Sequence, residues 1–167
     1  MTNPSSIDAA QASSSGLTIR RATPADCAVL TDIALRSKAH WGYDDAFMAA
    51  CVDELTVTPE TLTAGETWVA EMPDGTLAGF CDVRLDDGVA EVYAAFVDPP
   101  FIGTGVGAKL WAKVEEVTRQ LGTSTIGVDS DPQAQGFYER MGCVVTGTTP
   151  SASIAGRSLP RLVKELA

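Results

Sequence analysis

A single histidine, His40, stands among the 167 residues, and the four cysteines (Cys27, Cys51, Cys81, Cys143) are scattered without a Cys-x-x-Cys pair. That leaves no ligand set with the usual spacing of a metal site. It also speaks against a disulfide framework and for reduced cysteines in a cytoplasmic protein, with Cys81 and Cys143 packing as small hydrophobes. Basic residues are scarce: 12 Lys and Arg against 22 Asp and Glu give a formal net charge of −10. Nucleic acid is thereby disfavoured as a partner, because its phosphates are gripped by clustered Lys and Arg. The same charge favours a cationic or neutral ligand, so an anion must be held locally by backbone dipoles. No apolar run approaches the roughly 20 residues of a membrane span. The first residues show neither a basic start nor an apolar h-region, so neither a membrane partner nor a signal peptide is expected.

What is present is ordinary for a globular chain, with 45% hydrophobic and 20% charged residues over a length suited to one domain. The opening MTNPSSIDAAQASSSG lacks large apolar side chains. It predicts a flexible tail over 1–16 and a single domain over 17–167. Leu17–Arg20 reads as a strand, and Thr23-Pro24-Ala25-Asp26 as a helix start whose buried stripe is Val29, Leu30, Ile33 and Ala34. A second helix, Asp45 to Leu55, buries Phe47, Met48, Cys51, Val52 and Leu55; Thr58-Pro59 starts one more turn.

From Thr67 the period changes. TWVAEM, LAGFCDVRL and VAEVYAAFV are strand-like runs separated by Pro73-Asp74-Gly75 and Asp86-Asp87-Gly88, which makes an antiparallel meander. A periodic helix follows, with Val106, Leu110, Val114, Val117 and Leu121 on one stripe and Lys109, Lys113, Glu116 and Gln120 opposite. TIGV then pairs as a parallel crossover strand. Asp131 to Met141 forms a helix with Ala134, Phe137, Tyr138 and Met141 on one face, and CVVTGTTP and SLPRLVKEL are strands around the loop SASIAGR. The pattern predicts an α/β (α+β) fold, a mixed and mostly antiparallel sheet of about seven strands with helices on both faces.

Between the meander and the periodic helix lies Ile102-Gly-Thr-Gly-Val-Gly107. A dinucleotide fingerprint needs Gly-x-Gly-x-x-Gly at a first strand, and a Walker loop needs Gly-x-x-x-x-Gly-Lys-Ser/Thr. The spacing here meets neither. A tight strand-to-helix connection without a ligand stays open on these residues alone. Glycines before a helix N-terminus also let backbone N–H groups close around an anion.

The order of AEVYAAFVDPP, IGTGVG, AKLWAKVEEV, STIGVDSD and PQAQGFYERMGC resembles the core motifs of the GNAT acetyltransferase superfamily. The resemblance runs from Leu17 to Leu166 and is sharpest over Glu91–Cys143. Its loop pattern, Arg/Gln-x-x-Gly-x-Gly/Ala, is met by Gly105 and Gly107, with Ile102 at the Arg/Gln position. The next motif, Asn-x-x-Ala-x-x-x-Tyr before Gly-Phe, is met as Asp131, Ala134 and Tyr138 before Gly142-Cys143. Ile102, Asp131 and Cys143 therefore depart from the pattern.

The resemblance implies an acetyl-CoA-dependent N-acetyltransferase acting on a primary amine of a small molecule or peptide, without a metal. Relatives are often dimers, so it also allows a homodimer. It assigns the coenzyme A pyrophosphate to Ile102, Gly103, Thr104, Gly105, Val106, Gly107 and Ala108. The pantetheine and thioester fall to the backbone of Phe96 and Val97, on a strand that commonly carries a bulge, and to Asp131 and Ala134. Tyr138 is the general-acid candidate and Glu91 the base candidate. Asp131 also serves as a helix N-cap. His40, Trp41 and Tyr43 lie where relatives gather acceptor residues, and the loop with Ser153 and Arg157 suits a lid over a polar acceptor. A catalytically silent acyl-CoA-binding or sensing module is the alternative from another class, and a nucleotide-binding domain the third.

Overall fold

The computed structural model describes residues 16–167, so the tail expected over 1–16 lies, but for Gly16, outside the described residues. The predicted meander is β2 (Glu66–Glu71), β3 (Leu77–Asp86) and β4 (Val89–Val97), with β1 (Thr18–Arg21) paired to the outer edge of β2. The crossover strand β5 (Thr125–Asp129) runs parallel to β4, and β6 (Val144–Pro150) and β7 (Ser158–Glu165) complete the sheet. Its order is β1-β2-β3-β4-β5-β7-β6. The hairpin β6–β7 therefore inserts its second strand next to β5.

Among the described residues five α-helices cover the sheet: α1 (Cys27–Ala39), α2 (Asp45–Leu55), α3 (Pro59–Ala64), α4 (Val106–Gln120) and α5 (Gln135–Arg140). Period-2 alternation sorts the strands between two cores. Val69 and Phe80 face α1 and α2 with Leu30, Ile33 and Leu55, while Ala70, Cys81 and Val83 face α4 and α5 with Leu110, Val114 and Tyr138. Among the described residues no helix is long and apolar enough to cross a membrane.

Local chemistry accounts for the helix boundaries and for several departures from expectation. Asp26 closes the first turn by accepting from the N–H (2.8 Å) and Oγ1 (3.2 Å) of Thr23. That turn, Pro24–Asp26, is 3-10, and the α-helix starts one residue later. Val29 and Val52 were expected inside but are 43% and 41% exposed. At 100° per residue each stands roughly 90° from the centre of its helix's buried stripe, which runs through Leu30, Ile33 and Ala34 in one and Cys51 and Leu55 in the other. Lys113, expected on the solvent face of α4, lies instead 4.3 Å over the ring of Trp68. The helix expected over 131–141 divides into a 3-10 turn, Pro132–Ala134, and α5.

One irregularity positions the site. Asp82 pairs with Ala94 but Val83 with Val92, so Tyr93 is an extra residue on β4, a bulge at the start of the YAAFV segment. On the other side, the parallel pairing of β4 with β5 ends at Val92 opposite Val128. Beyond that point β4 runs on to Val97 without a partner in β5, and the two strands diverge.

Candidate active site

The gap between the diverging strands is the centre of a cleft of about 880 Å³, lined by Ala94–Val97 on one wall and Val128–Asp131 on the other. That volume lies in the range of small-molecule sites. The glycine loop forms one end of it. Gly105 is the N-cap of α4 in the left-handed conformation (φ 92°), which a side chain would strain, and it offers no side-chain cap. Lys109 is the first residue whose N–H finds an acceptor within the helix, Gly105 O at 3.2 Å. The N–H groups of Val106, Gly107 and Ala108 precede the intrahelical ladder, and the positive end of a 15-residue helix lies with them.

Not every loop residue contributes as the motif suggests. Ile102, Gly103, Gly105, Gly107 and Ala108 line the cleft. The Val106 side chain is fully buried in the core and Thr104 Oγ1 donates to Phe101 O at 2.5 Å, so both side chains are turned to structural work. Val106 and Thr104 can serve a ligand only through their backbone.

Tyr138 enters the cleft from α5, beside Ala134. Its ring meets Trp111 at 5.8 Å and Phe137 at 5.2 Å, both edge-on, and it is 6% exposed. Burial pushes its phenol well above the ordinary value, which keeps the proton on the oxygen at neutral pH.

A family model described as an acetyltransferase (GNAT) domain matches residues 38–153, which include the bulged strand, the glycine loop and Tyr138. The chain belongs to the GNAT family. It is similar to the aminoglycoside N(6')-acetyltransferase type 1 of Stenotrophomonas maltophilia, at 31% identity over 75% of this chain and 84% of that protein. It also resembles the mycothiol acetyltransferase of Kineococcus radiotolerans, at 38% identity over 38% of this chain but only 21% of that protein, so it spans about a fifth of that relative's length. Among solved structures, the PaiA N-acetyltransferase of Thermoplasma acidophilum in complex with coenzyme A superposes with TM-score 0.76 at 17% identity, over 90% of this chain and 99% of that one. A GCN5-related N-acetyltransferase from Rhodopseudomonas palustris gives 0.74 at 22% identity, over 89% and 95%. At those identities the two structures establish the GNAT fold.

On this GNAT scaffold the acceptor-side candidates separate into two groups. Tyr43 and Arg157 come together on Asp131. The Asp131 carboxylate accepts from Lys38 Nζ (2.6 Å), from Tyr43 Oη (2.9 Å) and from the N–H of Gln133 (2.9 Å), and Arg157 Nη2 stands 3.5 Å away. Burial pushes the Asp131 pKa up, but Lys38 and the other donors more than offset it, and the net displacement is downward. Burial, with Asp131 beside it, lifts Tyr43 to about 12. Trp41 lines the cleft and is 40% exposed, whereas His40 caps the C-terminus of α1 outside the cleft wall, its ring edge-on to Trp41 at 5.5 Å. Ser153, from the β6–β7 loop, hydrogen-bonds Glu54 of α2.

Glu91, the base candidate, has a partner that the sequence did not suggest. Arg161 of β7 donates to both of its oxygens, at 2.6 and 2.7 Å, and Glu91 is absent from the cleft lining. Room for this pair comes from Gly127, where a Cβ would fall 2.3 Å from Arg161 Nη2 and 3.0 Å from Glu91 Oε2. Both oxygens of Glu91 are thereby engaged by one guanidinium, which would have to be displaced before either could meet an amine. Sequence reasoning missed Arg161, Lys38 and Glu54. For Lys38 a signal existed in its place in the last turn of a helix just before the aromatic segment Trp41–Tyr43. For Arg161 and Glu54 local sequence carries none.

Proposed function

We propose that this protein is an acetyl-CoA-dependent N-acetyltransferase that acetylates a primary amine of a small molecule or peptide. The observation that carries this reading is convergence: the N-terminus of α4, the unpaired edge of β4 and the Tyr138 phenol all open into one cleft. The backbone N–H groups of 106–108 suit a pyrophosphate, with the helix dipole adding to them. The edge of 94–97 left free by β5 suits the amides of pantetheine, as an extra strand would. Ala134 keeps the adjoining wall low. Amine attack on an activated thioester then needs a positioned nucleophile and protonation of the departing sulfur, and Tyr138 is the donor at hand. The names of the relatives, one of which acetylates an aminoglycoside nitrogen, support an amine acceptor.

The silent acyl-CoA-binding alternative draws on the pairing of Glu91 with Arg161, which engages both oxygens of the expected base. Calorimetric titration with acetyl-CoA and thiol release across a panel of amines tests both readings. Saturable binding with amine-dependent thiol release is expected. Binding without release favours the silent module, and no binding at millimolar ligand overturns both.

Ile102 supplies a second test. It stands at the cleft mouth, 42% exposed, where relatives carry Arg or Gln. Ile102→Arg adds a charge-assisted contact to the pyrophosphate worth about 1–2 kcal/mol, so the Kd for acetyl-CoA falls about tenfold. Titration of dephosphorylated pantetheine fragments should show no such gain.

A further inference from the structure

With Glu91 tied to Arg161, the proposed reaction still needs a carboxylate to receive the acceptor's ammonium. Four line the cleft: Glu54, Asp82, Asp129 and Asp131. Asp82 is held by Arg84 (2.9 Å) and by the hydroxyl of Thr67 (3.2 Å). Asp129 faces Arg161 at 3.3 Å and Asp131 faces Lys38 at 2.6 Å. Only Glu54 has no cationic partner among the described residues. Its one hydrogen bond among the described residues is to the Ser153 hydroxyl, a neutral group on the β6–β7 loop whose place an ammonium donor can take.

The surroundings of Glu54 fit a cation. Its helix α2, with the N-cap Asp44, carries Asp44, Asp45, Asp53 and Glu54 and not one Lys or Arg. Trp41, whose indole could face an ammonium, lines the same cleft. The charged and titratable groups that act with Glu54 around Cys51 of α2 are Lys38 at the end of α1, Arg157 on the β6–β7 loop and Asp131 after β5, with the Tyr43 phenol bonded to the last two. Both nearby cations, Lys38 and Arg157, already turn to Asp131. Glu54 is left as the cleft carboxylate without an ion pair of its own among the described residues.

We infer that Glu54 is the catalytic residue that seats the acceptor ammonium and takes its proton, an assignment that rests on the N-acetyltransferase reading. One N–H proton passes to Glu54 and on to solvent. The freed lone pair forms the C–N bond while the C–S bond breaks with its electrons going to sulfur. Tyr138 protonates that sulfur, and the second proton lost by nitrogen restores Tyr138 through water. The sum is one amide, one thiol and one proton released.

The test compares wild type with Glu54→Gln, Glu54→Asp and the neighbouring Asp53→Asn, using a polyamine acceptor and acetyl-CoA. Glu54→Gln should lower kcat/KM for the amine at least about a hundredfold, erase the acid limb of its pH profile and leave the Kd for acetyl-CoA unchanged. Glu54→Asp should restore the acid limb with part of the rate, and Asp53→Asn should behave as wild type. An active wild type matched by an equally active Glu54→Gln, or by one that keeps the acid limb, overturns the assignment alone. A wild type that binds acetyl-CoA but acetylates no amine overturns the N-acetyltransferase reading and this assignment with it.

Discussion

Replacing Tyr138 by phenylalanine lowers kcat about 10³-fold, near the middle of the range for a general acid, and leaves acetyl-CoA binding within about twofold. The substitution removes one hydroxyl and keeps the ring, so the edge contacts with Trp111 and Phe137 persist. A thiolate whose acid has a pKa of about 8.5 is a weaker base than a phenolate of about 10, so the transfer is uphill and needs the phenol close to sulfur as the C–S bond breaks, with water returning the proton. Burial keeps the phenol protonated but raises its pKa further and makes it the weaker donor, so its contribution rests on position. The same shift has a stability signature. The folded phenol titrates above its unfolded value of about 10, so its contribution is fully present below that pH and is lost as pH rises beyond it. Wild type should therefore lose stability faster than Tyr138→Phe in alkaline denaturation. Unchanged turnover in the variant removes Tyr138 from proton transfer; a lost rate with intact binding places it there.

The parts of the fold that were legible in the sequence are those set by local chemistry. The turns at Pro73-Asp74-Gly75 and Asp86-Asp87-Gly88 fixed the meander, and the glycines of 103–107 marked the N-terminus of α4, since both depend on residues within a few positions of each other. The Asp131 cap was readable for the same reason. Its partners were not: Lys38 lies 93 positions away, and Arg161 lies 70 from Glu91. Such pairs exist only after the end of α1 meets the turn that follows β5 and β7 inserts beside β5. Glu91 was thus legible as an acid on β4 while its pairing with Arg161 was not, because that neighbour is topological. The bulge at Tyr93 is intermediate, for two alanines can accommodate one but do not say which residue is extra.

The second large effect concerns Asp131, the N-cap of the turn that follows β5. Asp131→Ala should destabilise the fold by about 3 kcal/mol, at the low end for breaking a largely buried ion pair. The loss is concentrated because one carboxylate joins three separate pieces: the end of α1 through Lys38, the α1–α2 connection through Tyr43 and the β6–β7 loop through Arg157. Lys38 and Asp131 side chains are only 14% and 12% exposed, so water replaces little of what is removed. Asp131→Asn should cost less, because an amide still caps Gln133 and accepts from Tyr43 while the charge is gone. Denaturant midpoints measured against pH separate charge from shape. The folded Asp131 titrates below its unfolded value of about 3.9, so its stabilisation is present above that pH and is lost as pH falls through the lower folded value. The gap between wild type and Asp131→Asn should therefore be constant near neutrality and close in acid. A gap that persists unchanged once the carboxylate is protonated would mean that hydrogen-bond geometry, and not charge, holds the three pieces to the cleft wall.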